Sequence, residues 1–373
     1  VRRAIVHIGM PRTGSTSFQE VLARLRPRLE PAGLCYPELA PPGSPPSADV
    51  NHHLLGQALD GRRPASARPA ALARLAQVLS ETRADTVILS YEDFAVQRPS
   101  LGVPNTLADL FARHGFAMEV VLVVKPQGEQ LASAYALRAQ LVAEARTFRA
   151  FVHREGRSGR YDYAACLEPW RRSADGRVVA VPVRDRTSDA PLLARLVDAL
   201  GLGPRLGPLL GPDDLAYRTN RSSGPITVEA SRRLHGLGLH RRVAGHPRRL
   251  GHLLDDTAWA RGLDREPFRG DAPDALAAVE AFHAAANDRL AAACWGIGWD
   301  AVVARAPVRP ANELAGRAIS AEIETEVRGL VETALSRIAF KAPPQWRQRF
   351  DSLVERSVDH LADRVGYPAW RVQ

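Results

Sequence analysis

Along the first two hundred or so positions, short apolar runs alternate with stretches of helical spacing, the pattern of βαβ units on a parallel sheet. Ala4 to Ile8 is a β-rich run that enters a glycine-containing loop. Phe18, Val21, Leu22, Leu25 and Leu29 then repeat at helical intervals, with Pro27 expected to bend or end that helix. Leu34 to Tyr36 predicts a brief second strand, and Pro41 to Pro46 a proline-dense loop. Asn51 to Leu59 and Pro69 to Thr82 read as helices, and Thr86 to Leu89 as a third strand bounded by Ser90. A helix near Thr106 to His114, a fourth strand Val120 to Val124, and helices over Gln127 to Leu141 and Tyr161 to Arg172 follow. Arg177 to Val183 is the fifth strand, and the helix Ala190 to Leu200 is stopped by Gly201. Past about residue 205 the β signal fades into loops and helices, clearest over Pro273 to Ala293 and Ile319 to Val365. The pattern predicts an α/β fold with about five parallel strands flanked by helices over residues 1–205. Residues 206–373 form a mostly helical and loop part that completes or covers a site.

Composition narrows the class. With 45% apolar and 24% charged residues the chain is an ordinary globular one, which excludes disorder, collagen and coiled coil. Its longest apolar runs, such as that between Glu119 and Lys125, fall far short of the roughly 18 to 20 residues that cross a bilayer, so no transmembrane segment is expected. No basic-then-apolar leader precedes the first strand, which favours the cytoplasm. Cys35, Cys166 and Cys294 are far apart without CxxC spacing and read as buried apolar thiols rather than a disulfide framework or thiolate zinc site. The net charge of +9 raises a polyanion partner, but Lys125 and Lys341 are the only lysines. The pairs Arg232-Arg233, Arg241-Arg242 and Arg248-Arg249 also lack interleaved aromatics, so nucleic-acid binding is not expected. His235, His240, His246 and His252 have no carboxylate companion or HExxH spacing, and are read as solvated rather than metal ligands.

The loop after the first strand carries the chemistry. Gly9-Met10-Pro11-Arg12-Thr13-Gly14-Ser15-Thr16 has a glycine at each end and hydroxyl residues opening a helix, the make-up of an anion cradle of inward amides at a helix N-terminus. Its spacing is that of a P-loop, except that Ser15 stands where the lysine belongs. A nucleoside triphosphatase uses that lysine with magnesium; here the loop's cation is Arg12.

Ile8 to Ser17 resembles the 5′-phosphosulfate loop of sulfotransferases that use 3′-phosphoadenosine 5′-phosphosulfate (PAPS), in which a Lys or Arg stands at the position of Arg12. Val120-Val121-Leu122-Val123-Val124-Lys125-Pro126 with Ser133 and Tyr135 is similar to that family's 3′-phosphate segment, with lysine in place of its arginine. Lysine keeps the charge and loses the bidentate fork. Tyr161 to Trp170 and Tyr217 to Ser223 are weaker echoes of a bacterial branch, and the resemblance spans roughly residues 4 to 235. It implies a P-loop-type core and PAPS bound without metal by Pro11, Arg12, Thr13, Gly14, Ser15, Thr16, Ser17, Lys125 and Ser133. It also implies a small-molecule, glycan or lipid acceptor.

In-line transfer needs a base for the acceptor proton and a cation at the leaving oxygen. Arg12 suits the second role. Glu92, at the carboxyl end of the third strand, is the first candidate for the base, with His53 and Glu38 as alternatives. A metal-dependent kinase or NTPase, and a nucleotide-binding protein without transferase chemistry, are the competing readings.

Overall fold

The computed structural model describes residues 2–217, 222–236, 238 and 247–337. Five strands form one parallel sheet in the order β2-β3-β1-β4-β5. They are β1 (Arg2–Gly9), β2 (Leu34–Cys35), β3 (Thr86–Ser90), β4 (Phe116–Val124) and β5 (Val178–Pro182). Alternation along the strands divides the core. Ala4, Val6, Ile8, Val87, Leu89, Val120 and Leu122 face one layer, while Ile5, Ile88, Val121 and Val123 face the other. The first layer is closed by α2 (His53–Leu59), α3 (Ala67–Glu81), α4 (Val103–Arg113) and α7 (Tyr163–Ser173). The second is closed by α1 (Ser15–Leu29) and α8 (Leu192–Ala199). A further apolar cluster is built by α5 (Gln127–Gln140) and α6 (Phe148–Glu155), around Leu131, Tyr135, Phe148 and Phe151.

Two expectations are corrected here. Helix α1 runs through Pro27 to Leu29, because Leu25 and Leu29 are both buried against the sheet and a proline so close to the end removes only one helical hydrogen bond. Strand β4 begins four residues earlier than its apolar run, at Phe116. The interrupting Glu119 is paired with Arg3 of β1 at 2.6 Å, so a charge in the pattern is compatible with the ladder.

The C-terminal helices are joined to the sheet layer. The helix Pro273–Trp295 packs on α5, α6 and α7 and lends Leu290 and Ala291 to the first core. Helices Pro225–Gly236, Pro247–Ala260 and Ala321–Arg337 pack together around Leu234, Leu250, Leu254, Val327 and Leu330. Gly251 lies so close to α5 that a Cβ there would sit 1.5 Å from the carbonyl oxygen of Gln140. No helix among the described residues is long and apolar enough to cross a membrane.

The Arg232-Arg233 pair, one of the basic clusters in the sequence, is buried. Both guanidinium groups hold the carboxylate of Glu229, at 2.9 and 2.6 Å, and Arg233 also reaches Glu324. His235 is likewise not solvated: it is 7% exposed, with Nδ1 2.7 Å from the carbonyl oxygen of Val142. His252 is exposed, whereas His240, His246, Arg241, Arg242 and Lys341 lie outside the described residues, as do positions 218–221 of the Tyr217–Ser223 segment. The three cysteines are free and half-buried rather than fully buried.

Burial alone would raise the Glu229 carboxyl, but Arg232 and Arg233 outweigh it and bring the pKa down to about 2. A depressed carboxyl stabilises the fold above its unfolded pKa and ceases to do so as pH falls towards the folded one. Urea unfolding is therefore expected to show stability declining from about pH 4.5 towards pH 2. Glu229→Ala, which leaves two arginines buried without their partner, should cost about 3–5 kcal/mol at neutral pH and flatten that acid limb.

Candidate functional site

The chain leaves β1 to build β2 and β3 on one side, then crosses to β4 and β5 on the other. Such a reversal opens a crevice beyond the carboxyl ends of the strands it separates, here β1 and β3. The Gly9–Thr16 loop fills the end of β1. Its curl uses left-handed backbone at Gly9 (φ 98°), Arg12 (φ 65°) and Gly14 (φ 87°), and for the non-glycine Arg12 that conformation costs on the order of 1–2 kcal/mol. Side chains offset the cost by engaging the loop's carbonyls. Thr13 Oγ1 donates to Met10 O at 2.5 Å, Gln130 Nε2 to Pro11 O at 2.5 Å, and Lys125 Nζ to Arg12 O at 2.9 Å.

Because a peptide unit is planar and trans, a carbonyl turned one way sends the following N–H the other. The amides of Arg12, Thr13 and Gly14 find no acceptor among the described residues. Helix α1 starts at Ser15 with no side-chain cap and no acidic residue in its first turn, so its dipole is uncompensated there. Ser15, at the position where a P-loop has lysine, is buried with its hydroxyl unpaired. Thr16 and Ser17 are half-buried on the same turn. The Arg12 guanidinium is half-buried and makes no hydrogen bond or ion pair among the described residues. Burial lowers its pKa against the opposing fields of Asp255 and Glu92.

Glu92 follows β3 and opens a single 3-10 turn (Glu92–Val96). The β1–β3 register pairs His7 with Ser90, which brings the Glu92 backbone against Gly9. A Cβ on Gly9 would stand 2.3 Å from Glu92 O, so only glycine fits. Far from a surface carboxylate, Glu92 is half-buried, and burial raises its pKa while a hydrogen bond from Gln19 and the charge of Arg12 pull it back. Gln19, fully buried on α1, donates to Glu92 Oε2 at 2.9 Å and to Ser90 Oγ at 3.0 Å. Ser90 Oγ in turn lies 2.7 Å from His7 Nδ1.

His53 stands at the margin of the same network. Its Nδ1 is 2.7 Å from Asn51 Oδ1, and Asn51 Nδ2 donates to Gln19 Oε1 at 3.4 Å. His52 is spent on structure: Nδ1 accepts from Ser90 N and Nε2 donates to Pro37 O, and burial lowers its pKa to about 4. Glu38 is not part of the site. Its side chain is 66% exposed and pairs with Arg26, roughly three helical turns from the loop.

Lys125 directly follows β4, is 7% exposed, and also donates to Ser133 Oγ at 2.7 Å, so the two residues expected to act together do meet. Burial, and then repulsion from Arg12 and Arg184, lowers its pKa to about 7. Tyr135 is buried and donates to Arg146 O at 2.7 Å, a packing role. A cavity of about 580 Å³ adjoins the loop between α1 and the β5–α8 connection, within the range of roughly 300–1,000 Å³ typical of ligand pockets. Thr13, Gly14, Ser17, Phe18, Arg184 and Asp185 are among the residues that line it. Sequence reasoning missed Gln19, Asn51, Ser90 and Arg184; the one available signal was a glutamine on the apolar face of α1.

No family model, curated protein or solved structure matches the chain.

Gln19 should hold Glu92 ionised. A hydrogen bond to a charged group contributes about 1.5–3 kcal/mol, so Gln19→Leu is expected to move the Glu92 titration upward by about one to two pH units. NMR titration of the carboxyl measures this, and an unmoved midpoint would show that the amide does not stabilise the carboxylate.

Proposed function

We propose that the chain is a PAPS-dependent sulfotransferase. It would move a sulfuryl group in line to a hydroxyl or amine of a small molecule, glycan or lipid, with loop amides and arginine in place of a divalent ion. The observation that carries this reading is the run of amides at Arg12, Thr13 and Gly14 that have no acceptor among the described residues, beside a half-buried guanidinium with no hydrogen-bond or ion-pair partner among them. Backbone N–H groups left without protein acceptors at a glycine-bounded turn are available to an anion. An arginine as the loop's cation suits a sulfuryl donor, whose transferred group carries less charge than a terminal phosphoryl.

In this reading Glu92 takes the proton of the acceptor, the acceptor oxygen or nitrogen attacks sulfur, and the bond from sulfur to the bridging oxygen breaks. Arg12 and the amides receive the charge on that oxygen as adenosine 3′,5′-bisphosphate leaves. The adjoining cavity offers the nucleoside a walled space, with Arg184 among its lining residues. His53, linked to Gln19 through Asn51, is the second candidate for the base. A cytoplasmic setting and the absence of a nucleic-acid partner belong to the same proposal.

Transfer of labelled sulfate from PAPS to an acceptor panel tests it. Arg12→Ala should lower turnover by about 10²–10³-fold with the fold intact. A raised Glu92 must lose its proton to act as base, so kcat/KM should climb with pH through a midpoint above the ordinary carboxylate range. Glu92→Gln should erase that limb and cost about 10²–10⁴-fold. Wild-type turnover in Arg12→Ala would overturn the assignment. Tight binding of adenosine 3′,5′-bisphosphate with no turnover would favour a nucleotide-binding protein, and magnesium-dependent ATP hydrolysis a kinase or NTPase.

A further inference from the structure

The resemblance assigns Lys125 and Ser133 to the donor's 3′-phosphate. The geometry points elsewhere, and we infer that Lys125 is a positioning residue, which holds the anion loop in its left-handed conformation from behind. The inference rests on reading that loop as the donor's anion site.

Lys125 Nζ spends two of its three hydrogens on Arg12 O and Ser133 Oγ, at 2.9 and 2.7 Å. Its own carbonyl is held by Tyr163 Oη at 2.8 Å, so backbone and side chain are both tied down. One turn into α5, Gln130 grips the preceding carbonyl, Pro11 O. Strand β4 and helix α5 thus take hold of two successive loop carbonyls, one of them belonging to the residue at φ 65°. By peptide planarity the Thr13 N–H points away from Lys125. The ammonium and the free amide therefore lie on opposite sides of the Arg12–Thr13 peptide unit, and an anion seated on the amide has that unit between itself and the lysine.

A carbonyl needs a hydrogen-bond donor, whereas a phosphate dianion gains most from a charged, accessible one. Lys125 is 7% exposed, and the groups that its field meets most strongly are the cations Arg12 and Arg184. Among the described residues it has no carboxylate partner. This is the setting of a donor to backbone, and the departure from arginine follows from it: a narrow, buried contact to one carbonyl has no use for a two-pronged guanidinium.

The test compares adenosine 3′,5′-bisphosphate with adenosine 5′-monophosphate by calorimetry, together with ¹⁵N order parameters of Arg12, Thr13 and Gly14 in the ligand-free protein. Lys125→Met keeps the apolar stem and removes the donor; Lys125→Arg restores a donor. A positioning role predicts that Lys125→Met weakens both nucleotides by a common factor of about tenfold, lowers the loop's order parameters, and that Lys125→Arg recovers both. If Lys125→Met instead brings the bisphosphate down to the affinity of the monophosphate, leaving the monophosphate and the loop unchanged, the lysine binds the 3′-phosphate and the inference falls. If the wild type binds neither nucleotide, the sulfotransferase reading fails, and the order parameters alone decide: a drop in Lys125→Met supports the positioning role and no change overturns it.

Discussion

A planar peptide cannot turn its carbonyl and the next amide to the same side, and the arrangement at the end of β1 depends on that constraint. Gln130 and Lys125 hold the carbonyls of Pro11 and Arg12, which turns the N–H groups of Arg12 and Thr13 the opposite way, and neither these nor Gly14 N–H has a protein acceptor among the described residues. The loop stores backbone strain at Arg12 and leaves three successive amides without protein acceptors among the described residues. A folded protein tolerates both where the surrounding structure over-determines them, and here β4 and α5 supply that surrounding.

The same crowding links the loop to the candidate base. Gly9 has no Cβ because the Glu92 backbone occupies the space where one would stand, so the anion cradle and the carboxylate share a wall. Gln19 sits one turn into the helix that the cradle opens and reaches across to Glu92, so a single helix carries both the donors for an anion and the group that steadies the carboxylate. The arrangement is dry: His7, Gln19 and Ser90 are fully buried, which strengthens each hydrogen bond among them and makes each costly to lose.

The C-terminal helices are part of this frame. Leu290 and Ala291 join the sheet's own core, and the field of Asp255, on the helix Pro247–Ala260, is felt at Arg12. The buried Glu229–Arg232–Arg233 group adds charge pairing to that region's apolar cluster and reaches the helix Ala321–Arg337 through Arg233 and Glu324. The desolvation of three charges offsets much of their attraction, so the group's net contribution is smaller than the loss on removing one member.

Period and spacing alone located the five strands, most of the helices and the glycine-bounded loop, because alternation of burial and the demands of left-handed backbone are local properties of a chain. The partnership of Lys125 and Ser133 was implied by the family resemblance and not by spacing, and the two side chains do meet. Local reading failed where burial was decided by packing between elements: Pro27 within a helix whose leucines are buried on the sheet, Arg232 and Arg233 buried where their helix meets Ala145 and Glu324, Glu38 left exposed on Arg26. Only tertiary structure set Gln19 between Asn51 and Glu92, turned Lys125 towards a loop carbonyl, and opened a cavity between α1 and the segment after β5. Those arrangements depend on which strands lie side by side, and sheet order is a property of the whole fold that no window of sequence contains.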